Sequence, residues 1–280
     1  MDVQDEAPGT EAANLDVTTD GKGGVRRRSS MSAPTIGDPG RLVLVARWWP
    51  MKLMYALWGS ALDSALRAPR LHEAVRAAGV TRLQVNVDDA DVAAAMLRIT
   101  TFDAPVRAVV SAWTQGEAAP ISQALAGLAE RCAGWEVEER MPLVPPPAAN
   151  GVRSPALAQM AFLRIPADLD PDEWLHRWQG LHTKVAIETQ ATFGYVQNRV
   201  VRTILGTDRV DALVEELFPM AAMTDVHAFY GSGGDDAELQ RRVKRMINSV
   251  TAFGAHANLD AVPTSRYVYH LAPGAFLTCS

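Results

Sequence analysis

Cysteine is almost missing from this 280-residue chain: only Cys132 and Cys279 occur, far apart in sequence. Two thiols cannot build a disulfide framework or a zinc cage, so a reducing cytoplasm is the expected setting. Long apolar runs are missing as well, and nothing approaches the about 18 residues that a membrane-crossing helix requires. There is no surplus of positive charge. Lys plus Arg number 27 against 32 Asp plus Glu, a net charge of −5, which gives no electrostatic reason to expect nucleic acid or an anionic membrane. Lysine is scarce, 4 residues against 23 arginines; with abundant alanine this reads as the bias of a GC-rich genome, not as phosphate recognition. Phosphate cradles and nucleophile elbows are also lacking. Gly231-Ser232-Gly233-Gly234 falls between helices, not after a strand, and no Gly-x-Ser-x-Gly occurs. His227, His256 and His270 are scattered without ligand-like spacing, so no metal is expected. Arg26-Arg27-Arg28 is followed by a Ser, Pro, Gly and Asp-rich stretch and not by an apolar segment, which argues against export.

What is present is the composition of a globular, water-soluble protein, 48% hydrophobic and 21% charged, long enough for one large domain or two ordinary ones. Residues 1–40 hold few large apolar side chains and are expected to form a disordered tail, with Met31 a second candidate start. Arg41 to Trp49 reads as a strand ended by Pro50. Leu62, Leu66, Leu71 and Val75 then recur at helical spacing up to Gly79, with Pro69 predicting a kink or two short helices. Leu83 to Val87 alternates as a half-buried strand, and Val106 to Trp113 is another. A helix over Ile121 to Cys132 and a strand over Trp135 to Val144 complete the unit. Residues 88 to 104 have no clear pattern.

Residues 146–155, rich in proline, alanine, glycine and serine, read as a linker between units spanning 41–145 and 156–280. The second unit repeats the order: strand Ala158 to Ile165, helix Pro171 to Gln190 capped by Asp170, strands Phe193 to Leu205 and Val210 to Phe218. A short helix over Thr224 to Tyr230, a longer one over Asp236 to Val250 and a strand over Val262 to Leu271 follow. Two β-α-β-β-α-β units imply an internal duplication. Each unit is a ferredoxin-like arrangement whose sheet leaves one apolar face uncovered. The expected fold is therefore α+β: two tandem ferredoxin-like units packed sheet to sheet, so that the chain is its own pseudo-dimer.

The most informative segment is Trp174 to His182. On a helix Trp174, Trp178 and His182 are four residues apart and share a face, which Leu181 and Val185 join, while His176 points away toward Lys184. A histidine sheltered beside two tryptophans stays neutral near pH 7, as a general base must. The same spacing is also that of an ordinary core or rim histidine. On the strand from Phe193, Tyr195, Gln197 and Arg199 face one way, offering a phenol and an amide to a carbonyl or phenol ligand. A polar edge strand would show the same pattern. Asp211, at the start of the next strand, is most simply a turn residue.

Three segments together carry a family resemblance. Trp174-x-x-x-Trp178-x-x-x-His182, Tyr195-Val196-Gln197-Asn198 and Val210 to Phe218 stand in the order and spacing of the EthD domain, which Ala158 to Leu271 resembles. The resemblance implies a dimeric α+β barrel whose two halves enclose a ligand pocket between sheets, with His182 as the helix histidine. It implies a small hydrophobic or aromatic substrate, in many cases no metal or organic cofactor, and possible homodimerisation. His182 and Tyr195 are then the candidate catalytic residues, and Trp174, Trp178, Gln197 and Asp211 the candidate substrate-binding residues. Cyclisation, dehydration or isomerisation of an aromatic, polyketide-like or steroid-like compound is the first expectation. An oxidoreductase or accessory of oxidative degradation, and a non-catalytic carrier, are the alternatives. The chain departs from the family at Ala212, where glycine is usual. Its first unit has His72 on a helix but not the tryptophan–histidine signature.

Overall fold

A computed structural model describes residues 50–271. The expected tail and the expected strand over 41–49 lie outside the described residues. The first unit consists of β1 (Met51–Trp58), α1 (Leu62–Leu66), α2 (Pro69–Ala77), β2 (Val80–Val87), β3 (Ala108–Thr114), α3 (Ala118–Ala126) and β4 (Arg131–Leu143). The second consists of β5 (Leu157–Leu163), α4 (Pro171–Leu175), a π-helical turn (His176–His182), α5 (Thr183–Thr189), β6 (Gly194–Leu205), β7 (Ala212–Phe218), α6 (Val226–Tyr230), α7 (Asp236–Ala252) and β8 (Leu259–His270). Pro69 opens α2 at its first position, so the helical run divides there, as the sequence predicts. The helix expected to run to Cys132 stops at Gly127, because Arg131 already belongs to β4.

The strands form a closed barrel in the order β1-β3-β2-β8-β5-β7-β6-β4, every neighbour antiparallel. Within that ring β4-β1-β3-β2 and β8-β5-β7-β6 are two ferredoxin-like sheets. They join edge to edge where β2 meets β8 and β4 meets β6. Closure leaves no edge strand unpaired. Eight strands give an interior that side chains just fill. Met54, Trp58, Trp135, Met160, Phe162 and Leu213 fill most of it. The helices cover the outer faces. In the first unit Leu53, Tyr55 and Leu57 pack outward against Leu62, Leu66, Leu71 and Val75, which fills the space under those helices. His72 there donates from Nε2 to the Leu66 carbonyl at 3.1 Å and lies against the Tyr269 ring.

β1 is a strand that the sequence reading does not anticipate. Met51 to Trp58 is apolar on both sides because one side faces the helices and the other the barrel interior, so no alternation marks it. The patternless residues 88–104 hold a single 3₁₀ turn, Ala90–Val92, and a long loop. Carboxylates pin that loop. Asp88 binds Arg98 and Arg107, and buried Asp260 of β8 accepts from the Thr101 and Phe102 amides at 2.6 and 3.0 Å and from Arg164 at 2.7 Å. The loop thereby crosses from the first unit to the second and carries Leu97 with it. The proline-rich segment after β4 is also fixed, through bridges of Asn150 and Arg153 to β8. No helix among the described residues is long and apolar enough to cross a membrane.

Candidate functional site

The helix from Pro171 to Thr189 begins with the Asp170 carboxylate accepting from the Asp172 and Glu173 amides at 2.9 and 3.1 Å, beside Pro171 at the first position. Its middle widens into a π turn, a rare conformation that recurs at functional positions. The physical cause is Thr183. Its amide and its hydroxyl both donate to the Trp178 carbonyl, five residues back, the hydroxyl at 3.2 Å. Gln197 of β6 then donates from Nε2 to Thr183 Oγ1 at 2.8 Å and locks the turn to the sheet. The wider turn brings Trp174, Trp178 and His182 onto one buried face. It turns Leu181, which the sequence reading puts on that face, out to solvent at 57% exposure. His176 is exposed.

This face covers the outside of the second sheet. The expectation of a His182 pocket between the two sheets is therefore corrected: the histidine is separated from the barrel interior by the sheet itself. A cavity of about 150 Å³ lies between helices and sheet, lined by His182, Trp178, Tyr195, Glu216, Phe229 and Phe253 among others, with Leu97 of the long loop at its border. His182 Nδ1 and Ser249 Oγ of α7 are 2.9 Å apart, and the ring leans on Phe253 at 4.6 Å between centroids. This leaves Nε2 as the nitrogen available to a ligand. Burial pushes the imidazole down to about 4, so it is neutral at physiological pH.

Across the cavity the strand register sets three polar side chains in a row. Gln159 of β5 pairs with Glu216 of β7, which pairs with Tyr195 of β6. Burial pushes the Glu216 carboxyl up to about 8, which keeps it protonated at pH 7. Burial first, and Glu216 second, also raise the Tyr195 phenol, so it remains a neutral donor. Gln159 Oε1, Gln190 Oε1 and Glu216 Oε1 are enclosed at the wall without a hydrogen-bond partner among the described residues. Such orphaned polar atoms cost about 1–3 kcal/mol each unless a ligand meets them.

Of the six expected site residues, His182, Tyr195 and Trp178 meet at the cavity. Trp174 stands behind Trp178, their rings 4.9 Å apart. Gln197 supports the π turn from outside the cavity wall. Asp211 lies away from it, accepting from the Ile165 amide at 2.8 Å and pairing with Arg209. Glu216 was missed. Its signal was strand alternation: Ala212, Val214 and Glu216 share a face, on which a carboxylate is out of place. No group of three or more His, Cys, Asp or Glu among the described residues could hold a metal ion.

No protein-family model matches the chain, and no curated protein matches it. Among solved structures it is similar to an anthrone oxidase-like protein, at 8% identity and a TM-score of 0.49, over 81% of this chain and 95% of that one. It is also similar to candidate monooxygenases from Lactobacillus acidophilus and Fusobacterium nucleatum. The first is 10% identical with a TM-score of 0.42, covering 80% of this chain and 97% of that one. The second is 10% identical with a TM-score of 0.45, covering 79% and 94%. No TM-score here reaches 0.5.

Proposed function

We propose that the chain is an EthD-type small-molecule enzyme that moves a proton next to a carbonyl, with His182 as base and Glu216 as acid. The observation that supports this reading is the pair of opposed shifts across one cavity: a neutral imidazole facing a protonated carboxyl at the same pH. Environments that drive two titratable groups apart in this way assign the acid and base roles. His182 Nε2 takes a proton from the carbon α to a substrate carbonyl. The Glu216 carboxyl, with the Tyr195 phenol beside it, donates to the carbonyl oxygen as it becomes an enol. A base held near 4 is weaker than free imidazole by about 3 kcal/mol of driving force. Negative charge developing on the substrate offsets part of that deficit, because it stabilises the imidazolium across the same dry space. Isomerisation, dehydration and cyclisation all begin with this step. A cavity of about 150 Å³ suits a compound of one ring, the smaller end of the expected aromatic and polyketide-like range.

The test is deuterium exchange at the α-carbon of simple cyclic ketones and 1,3-diketones in D₂O, followed by NMR. The protein should accelerate exchange. His182→Ala should lose about 100-fold or more of the acceleration, and His176→Ala, on the exposed side, almost none. A carrier would bind the ketone without accelerating exchange, and equal rates in the protein and His182→Ala would sink the mechanism.

A further inference from the structure

The barrel interior is apolar along most of its length but not at one end. There Lys52, Arg82, Gln84, Glu139, Glu215 and Arg266 surround a cavity of about 340 Å³. It is separate from the His182 cavity, because strand alternation sends Glu215 and Val196 inward and Glu216 and Tyr195 outward. The register stations the cations. Lys52 and Arg82 flank Trp113 on the two neighbouring strands, at 4.6 and 4.1 Å from its ring centroid. Glu139 accepts from Lys52 at 2.6 Å and from Trp113 Nε1 at 3.2 Å. Glu215 accepts from Gln84 and Asn86 at 2.8 and 3.0 Å, and Arg266 Nε lies 3.2 Å from it.

Three cations thus face two carboxylates, leaving one positive charge unmatched, with His270 at the rim outside that count. Arg82 is the unmatched group: no described carboxylate lies within ion-pair distance of it. The Nε atom of Arg82 is enclosed without a hydrogen-bond acceptor, whereas that of Arg266, a residue only 2% exposed, is held by its ion pair with Glu215. A buried guanidinium N–H without an acceptor costs about 1–3 kcal/mol. A planar carboxylate supplies both the missing acceptor and the missing negative charge, since its geometry matches the guanidinium fork. The rim has the opposite character. Met141 and Val144 are 46% and 69% exposed, and Pro145, Pro146 and Pro147 form a stiff wall with no N–H to offer. An inorganic anion would leave these apolar groups in water.

We propose that this end of the barrel binds a small organic carboxylate, its head between Arg82 and Arg266 and its apolar body between Trp113 and the Met141–Pro147 strap. Isothermal titration with octanoate and benzoate, against 1-octanol, benzyl alcohol and inorganic phosphate, tests it. At least one of the two carboxylates should bind saturably, and tighter than its alcohol and than phosphate. Arg82→Gln should weaken it at least about ten-fold. Val144→Asp, a change at an exposed position that the fold tolerates, should weaken it several-fold even where Arg82→Gln does not fold. His182→Ala should leave the affinity unchanged, which separates this site from the catalytic cavity. The proposal is overturned by absence of saturable heat for both carboxylates up to about 10 mM, or by equal binding of the alcohols. Tighter binding of phosphate, unchanged affinity in Val144→Asp, or affinity lost in His182→Ala would overturn it equally.

Discussion

Glu216→Gln should make the protein more stable at alkaline pH. Glu216 is half-buried, its Oε1 atom is enclosed without a partner, and its carboxyl is pushed up from an ordinary 4.5 to about 8. A group whose folded value is raised binds its proton more tightly in the folded state. Its contribution is therefore present in full below about pH 4.5 and is lost as pH rises through about 8. At about 1.4 kcal/mol per unit the full difference approaches 5 kcal/mol, and residual solvent access reduces it to roughly 3–5 kcal/mol. Gln keeps the shape and removes the titration. Urea unfolding followed by tryptophan fluorescence, at pH 5, 7 and 9, gives the difference between the two proteins, in which groups common to both cancel. The variant should gain on the parent steadily from pH 5 to pH 8 and then hold its lead. A pH-independent difference, or one that shrinks with pH, would mean that the carboxyl is already ionised in the folded cavity. It could not then be the proton donor.

Three more outcomes are expected. His182 is shifted down to about 4, so its contribution is present above about pH 6.5 and is lost as pH falls through 4; His182→Asn should flatten that acid limb by roughly 3 kcal/mol in unfolding measurements. Asp260→Ala, which strands Arg164 and two loop amides, should cost about 3–5 kcal/mol by denaturant midpoint. Thr183→Val, which removes the hydroxyl between Gln197 and the Trp178 carbonyl, should lower the ketone exchange rate about ten-fold or more with little change in substrate affinity, since it moves the base without touching the ligand.

The features legible in the sequence were those that depend on near neighbours. The Asp170 cap, the break at Pro69 and the Trp174, Trp178 and His182 face are local consequences of helix geometry, and the structure carries all three. The duplicated element order was likewise enough to expect a pseudo-dimeric barrel. Features that depend on distant neighbours were hidden. β1 loses its alternation because two different layers bury its two sides. The π turn depends on a glutamine that follows Thr183 by 14 positions on another element. The Glu216 carboxyl is raised only because β5 and β6 place Gln159 and Tyr195 beside it and the helices exclude water. The pocket's location followed from the layer order, which periodicity does not encode.

Fusing both sheets into one chain changes what dilution can do. Two separate subunits closing the same barrel would expose the β2–β8 and β4–β6 seams whenever their concentration fell below the dissociation constant. Here the short Leu143-to-Leu157 connection keeps the partner sheet at an effective concentration in the millimolar range or above, whatever the protein concentration. Closure becomes part of folding, and the melting temperature should not depend on how much protein is present. A symmetric dimer must also repeat each substitution in both of its sites. The fused chain is free of that constraint, and its two helix layers have diverged: His182 and Glu216 line a cavity in the second, and the first has no tryptophan–histidine face to match it.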